Sequence, residues 1–164
     1  MQTVSIRNAE RNDFDDILSM NLAEVQHTSP MDMERLITLD ALSCFHKIAG
    51  AKNRVSAFLL AMCNGAAYAN SNFEWFSQRY PRFIYVDRIV VTPESKGQRL
   101  GTLLYEEIFR YARHHEIPLV TCEYNVIPPN EPSRLFHDKF GFKEQETQWA
   151  ADGTKKVSLQ AAET

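Results

Sequence analysis

Val91-Thr-Pro-Glu-Ser-Lys-Gly-Gln-Arg-Leu-Gly101 joins an apolar strand to a helix, and its reading decides the fold. The run that feeds it, Phe83-Ile-Tyr-Val-Asp-Arg-Ile-Val-Val91, is rich in β-branched and aromatic residues, which suit a pleated, half-buried surface. Beyond it, Leu100, Leu104, Ile108 and Ala112 recur at helical spacing. A strand, a glycine loop and a helix in that order aim unpaired backbone N–H groups and the positive end of a helix dipole at one point. A phosphate or pyrophosphate can sit there. This loop is the place for a nucleotide-like cofactor.

Outward from the loop, a chain of 164 residues predicts one domain, 1–164, with a single sizeable core. A hydrophobic fraction of 44% and a charged fraction of 24% are those of an ordinary soluble globular protein. The net charge of −3 argues against a general nucleic-acid binder, which normally shows a basic face. Cys44, Cys63 and Cys122 are odd in number, widely spaced and set among apolar neighbours, which predicts buried free thiols in a reducing cytoplasm. No signal peptide precedes Ile6, and no apolar run approaches the ~20 residues that cross a bilayer. A cytoplasmic protein without a membrane partner is expected.

Along the chain, Val4-Ser-Ile-Arg-Asn reads as a strand, and Asn12-Asp13 as the N-cap of a helix carrying Phe14, Ile17, Leu18, Leu22 and Val25. A second helix is expected from near Ser29-Pro30. Cys44–Ala49 and Val55–Ala61 read as strands joined by a turn at 51–53. Residues 64–82 read as a connecting segment dense in aromatics and Asn. Its rings either pack against the domain or wall an acceptor pocket, to which Trp75 would contribute. Ile117–Asn125 is nearly all apolar, as a strand covered on both faces should be. A helix from Glu131 or Pro132 to Phe140 follows, with Asn130 as N-cap and Gly141 just past its end. Two closing strands flank Asp152-Gly153, a strong hairpin signal. The order β-α-α-β-β-β-α-β-α-β-β makes a mixed α/β domain.

The loop is neither G-x-x-x-x-G-K-S/T nor G-x-G-x-x-G, which argues against a nucleoside triphosphatase and a dinucleotide fold. Lys96-Gly-Gln-Arg-Leu-Gly101 after Val-x-Pro resembles the GNAT superfamily of acyl-CoA-dependent N-acetyltransferases, whose frame is Arg/Gln-x-x-Gly-x-Gly/Ala. Lys96 and Arg99 are departures from that frame. Asn130-Glu-Pro-Ser-Arg-Leu-Phe-His-Asp-Lys-Phe-Gly-Phe142 is similar to the family's Asn-x-x-Ala/Ser-x-x-Leu/Phe-Tyr-x-x-x-Gly-Phe, with His137 where the family has Tyr.

The resemblance implies a GNAT-type fold: a central, mostly antiparallel sheet of about 6–7 strands with a splayed central pair, flanked by about 4 helices. It implies acetyl-CoA as cofactor. Backbone N–H groups from Gln98 through Thr102, with Lys96, Gly97, Arg99, Leu100 and Gly101, would hold the pyrophosphate, and Arg99 could add a charge-assisted contact. If the loop needs positive φ at 99, Arg strains it. The backbone of Ile89, Val90 and Val91 would pair with the pantetheine arm as an added strand does. Asn130, Ser133, Phe136 and Lys139 would line the cofactor. His137 would stand where a proton reaches the departing thiolate.

Asp87 and Glu123 are the candidate bases, each with the alternative of a structural ion pair. Tyr85, Asp87, Tyr124, Asn125 and Trp75 would line the acceptor, a small-molecule or peptide amine. The remaining histidines show no metal-ligand spacing with the cysteines, so no metal is expected. Nothing suggests a covalent acyl-enzyme. Two readings stand beside amine acetylation: a degenerate domain that binds CoA as a sensor, and transfer of a bulkier acyl group. The C-terminal hairpin offers a surface for a homodimer.

Overall fold

Seven strands form one sheet in the order β1-β2-β3-β4-β5-β7-β6. A computed structural model describes residues 3–25, 27–51, 53–150 and 152–164. The chain opens with β1 (Ser5–Asn8), a 3-10 turn (Arg11–Asp13), α1 (Phe14–Ala23) and α2 (Met33–Leu42). Next come β2 (Phe45–Gly50), β3 (Ala57–Cys63), α3 (Ser71–Ser77) and β4 (Ile84–Val91). A second 3-10 turn (Pro93–Ser95) leads into α4 (Leu100–His114) and β5 (Leu119–Ile127). The chain closes with α5 (Glu131–Asp138), β6 (Lys143–Trp149) and β7 (Lys156–Glu163). This is the expected mixed α/β class, with five helices among the described residues rather than about four. Two compact units divide it: Met1–Met62 with Asp87–Tyr111, and Cys63–Val86 with Ala112–Thr164.

In the first unit β2 pairs antiparallel with both neighbours, Ser5 opposite Gly50 and Phe45 opposite Ala61. Every residue of β3 from Ala57 to Met62 is buried. Phe14, Ile17 and Met20 of α1, Leu36 and Leu39 of α2, and Leu100, Leu104 and Ile108 of α4 are buried too, which is what their helical spacing demands. Asp13 starts α1 differently from the expected cap. Its Oδ2 accepts from the Glu10 N–H at 2.8 Å, and Arg7 grips both its oxygens at 2.7 and 2.8 Å. The second helix starts later than Ser29-Pro30. Asp32, in extended conformation, takes the cap, its Oδ1 accepting from the Arg35 N–H at 2.8 Å. Lys52, in the expected β2–β3 turn, lies outside the described residues.

In the second unit, residues 64–82 hold a helix that apolar spacing alone did not announce. Asn70 caps α3 through its Oδ1 and the Phe73 N–H, 3.0 Å apart. Phe73 packs on Phe83 and Tyr85 with ring centroids 5.6 and 5.7 Å apart, and Phe76 lies 6.0 Å from Tyr85. The bland reading of these aromatics therefore holds for Phe73 and Phe76: their rings build a core. β4 runs parallel to β5 at Ile84–Val120 and Tyr85–Thr121, and β5 and β6 both pair antiparallel with β7. A bulge after Asn125 carries β5 two residues beyond its expected end.

The cysteines correct the sequence reading. Cys44 and Cys63 are disulfide-bonded, and Cys122 is a buried cysteine outside any disulfide. Separation in sequence hid this: the antiparallel register of β2 and β3 brings the start of one strand to the end of the other.

Candidate active site

The loop after β4 has the conformation that an anion cradle needs. Gly97 has φ +87 and Arg99 φ +62, both left-handed. At Gly97 this is free of steric cost, and a Cβ there would meet nothing within 4 Å. Arg99 does bear the strain its sequence position raised. The N–H groups of Gly97, Arg99, Leu100, Gly101 and Thr102 find no acceptor among the described residues. That of Gln98 is spent on the Ser95 carbonyl at 3.2 Å, so it leaves the expected set. These unpaired donors stand at the head of the fifteen-residue α4, where orphan N–H groups and the dipole favour negative charge. The Lys96 ammonium adds positive charge and lies 3.4 Å from Glu24 on the α1 end.

Upstream on β4, the Asp87 carboxylate is tied down. The Arg88 Nε donates to its Oδ2 at 2.7 Å, and both side chains are 4% exposed. Asp87 as a residue is half-buried, so its exposed part is main chain. Arg88 was not singled out as a site residue, yet it is the hub of this region. Its Nη1 donates to Asn21 Oδ1 and the Ser29 carbonyl, each at 3.0 Å, and its Nη2 to Ser29 Oγ at 2.9 Å. These partners are 59 and 67 residues away in sequence, and no local pattern announces them.

The second unit holds the other candidates. Tyr85 Oη donates to Glu123 Oε2 at 2.6 Å, a short charge-assisted bond that orients the carboxylate. Tyr85 is fully buried and Glu123 half-buried. Asn130 caps α5, its Oδ1 accepting from the Ser133 N–H at 3.3 Å. Its expected cofactor role therefore has a structural one beside it.

His137 is buried, 4% exposed. Its Nδ1 lies 2.7 Å from the Ser133 carbonyl, which can only accept, so Nδ1 carries the hydrogen. The ring packs among Tyr124, Phe136 and Phe142, with centroids 5.2–5.5 Å away. Burial pushes its pKa down to about 4, because an apolar surrounding disfavours the cation. At neutral pH the imidazole is uncharged with its hydrogen directed at Ser133, an arrangement poorly suited to protonating a thiolate. Burial beside Asp138 pushes the Tyr124 phenol up, so it keeps its proton.

Lys139 is exposed at the end of α5, and the Asn125 carbonyl accepts from the Asn130 N–H at 3.1 Å. Trp75 lies on α3 with the Arg79 guanidinium 3.8 Å from its ring centre. Among the described residues no cluster of His, Cys, Asp and Glu could hold a metal ion. None of their helices is long and apolar enough to cross a membrane.

A parallel strand pair followed by a loop with unpaired amides at a helix start is an arrangement that suits an anionic group. The family model of the GNAT acetyltransferases matches residues 14–142. The chain belongs to that family. No curated protein sequence matches it.

Solved structures share the fold at low identity. Over 98% of this chain and 94% of that one, the ribosomal-protein-S18-alanine N-acetyltransferase from Escherichia coli superposes with a TM-score of 0.74 at 13% identity. Arabidopsis thaliana NAA60 in complex with a bisubstrate analogue reaches 0.78 at 12% identity, over 98% of each chain. A mutant agmatine N-acetyltransferase reaches 0.71 at 14%, over 98% of this chain and 99% of that one. One of these names a protein acceptor and another a small amine, so the shared fold leaves the acceptor open.

Proposed function

We propose that this chain is an acyl-CoA-dependent N-acetyltransferase that moves an acetyl group from acetyl-CoA to the primary amine of a small molecule, amino acid or peptide. The observation that carries the reading is the row of unpaired N–H groups at Gly97, Arg99, Leu100, Gly101 and Thr102. A pyrophosphate satisfies such donors, and nothing in the described chain does. Half-buried Asp87, Ile89 and Val91, alternating along β4 with buried Arg88 and Val90, suit a pantetheine arm lying along that strand. On the second unit, Asn130, Ser133, Phe136 and Lys139 are the further cofactor candidates that the family motif names.

Acetyl-CoA supplies, when bound, an acyl group already activated as a thioester. The residues then have to position an amine, take its proton and steady the developing oxyanion. A main-chain N–H near Val91 would serve the oxyanion. Glu123 is the better base, since Tyr85 orients it while Asp87 is spent on Arg88. His137 supports the site by packing and by its bond to Ser133, and the leaving thiolate takes its proton from water. Tyr85, Tyr124, Asn125 and Trp75 remain the acceptor candidates. The reading places the protein in the cytoplasm, whose reducing poise the Cys44 and Cys63 linkage has to withstand.

A neutral His137 and a strained Arg99 favour a second reading, a domain that binds CoA as a sensor without turnover. Thiol release across an amine panel separates the two. Turnover, reduced at least about 100-fold by Glu123→Gln through loss of a general base, is the expected result. Acetyl-CoA binding with no thiol release from any amine would establish the sensor.

A further inference from the structure

Lys96 and Arg99 are the two side-chain cations of the loop after β4. Of these, only Lys96 forms an ion pair among the described residues, its Nζ lying 3.4 Å from Glu24 Oε1. We propose that Glu24 is an autoinhibitory anion: it competes with the phosphates of the cofactor for Lys96, and so weakens binding and shortens the residence of product CoA. This rests on the acetyltransferase reading and adds to it a control on the cofactor.

The position of Glu24 singles it out. It is the C-cap of α1, and the last turn of that helix carries no basic residue. Carboxylates suit helix N-termini and not C-termini, where unpaired carbonyls leave partial negative charge. The Glu24 side chain is 18% exposed, against 62% for that of Lys96. An acid at the negative end of a helix and mostly out of water needs a cation. Among the described residues Lys96 is its one ion-pair partner. The lysine, by contrast, is a hydrated point charge on a flexible stem. The acid is therefore the fixed member of the pair, and the lysine is the one that can change partner.

A pyrophosphate on the unpaired amides at the head of α4 brings new negative charge to the loop that carries Lys96. If Lys96 turns to it, Glu24 loses its cation at a helix end that disfavours an acid. If Lys96 stays, the phosphates forgo a charge-assisted contact. Either way Glu24 opposes the bound state. A partly exposed charge interaction of this kind changes affinity by about 3- to 10-fold. Among variants of one site such differences fall mainly in the off-rate. Product release sets kcat in many enzymes, so an acid that recaptures Lys96 as CoA departs shortens the turnover cycle.

Calorimetric titration of the full chain with acetyl-CoA and with inorganic pyrophosphate compares the wild type with Glu24→Gln. The variant is expected to bind both about 3- to 10-fold more tightly, and stopped-flow dissociation of CoA should slow by a similar factor. Glu34→Gln, at an exposed position of α2, removes the same charge and should change either affinity by less than about twofold. In a Lys96→Met background the gain from Glu24→Gln should fall below about twofold, as coupled neighbours require. Salt at about 1 M, where charges are screened within about 3 Å, should shrink the gain as well.

A wild type that binds acetyl-CoA no more weakly than Glu24→Gln would overturn the competition and leave the cofactor reading standing. So would a full gain in the Lys96→Met background. Tighter pyrophosphate binding by Glu24→Gln in a chain that takes no acetyl-CoA would keep the competition and remove the acetyltransferase reading. Binding of neither ligand by either protein would remove both.

Discussion

At position 137 a titratable ring has been taken out of water, and the consequence is a pH dependence with a defined sign. The unfolded chain binds the imidazole proton near ~6.5, the folded chain only near about 4. Between those values the unfolded state holds more protons, so stability falls as pH drops through the window. His46, also buried and also depressed in pKa, acts in the same direction. Urea midpoints at pH 7.5 and 5 should differ by the equivalent of about 2 kcal/mol from His137 alone. His137→Phe, which keeps a ring in the packed site, should flatten that slope. An unchanged slope would show that the imidazole is not buried as described. Arg99 gives a second test at this scale. Its φ of +62 is left-handed, and Arg99→Gly should stabilise the fold by up to about 1 kcal/mol. If main-chain amides hold the phosphates, acetyl-CoA affinity should stay within about threefold. A loss beyond about 30-fold, some 2 kcal/mol, would instead give the guanidinium the leading part.

Local chemistry explains which elements could be read in advance. Helix α4 and its loop were legible because glycines, apolar spacing and strand composition lie within one short stretch. Helix α5 was legible because Asn130 caps it and Gly141, at φ +82, ends it. Helix α3 was not, since seven residues dense in aromatics give too short a period to read. The start of α2 was misplaced because Pro30 and Asp32 both carry start signals, and the Asp32 carboxylate won. The turn after β2 shows what sequence cannot weigh. A Cβ on Gly50 would collide with the Arg54 carbonyl oxygen, a backbone atom with no way to yield cheaply. Gly50→Ala should therefore cost at least about 2 kcal/mol, read as a lowered urea midpoint. A neutral effect would mean that the β2–β3 turn is shaped differently.

Across the whole molecule, contacts distant in sequence were the part that stayed hidden. Tyr85 and Glu123 are 38 residues apart, and Arg88 and Asn21 are 67. No periodicity links such pairs, so Asp87 and Glu123 looked alike until one proved to be spent on a guanidinium and the other oriented by a phenol. The family and the order of strands were legible, because the motifs carrying them are short and local; the acceptor was not, because no short motif carries it.

Acetyl-CoA binding is what the unpaired amides at the head of α4 are held to provide, and it can be measured directly by calorimetric titration of the wild-type protein and of Gly101→Trp. The expected result is one-to-one binding by the wild type, with a Kd in the micromolar range of about −8 kcal/mol, and its loss in a Gly101→Trp variant that remains folded. No binding by a folded wild type free of co-purified CoA, or equal binding by the variant, would contradict the assignment of this loop.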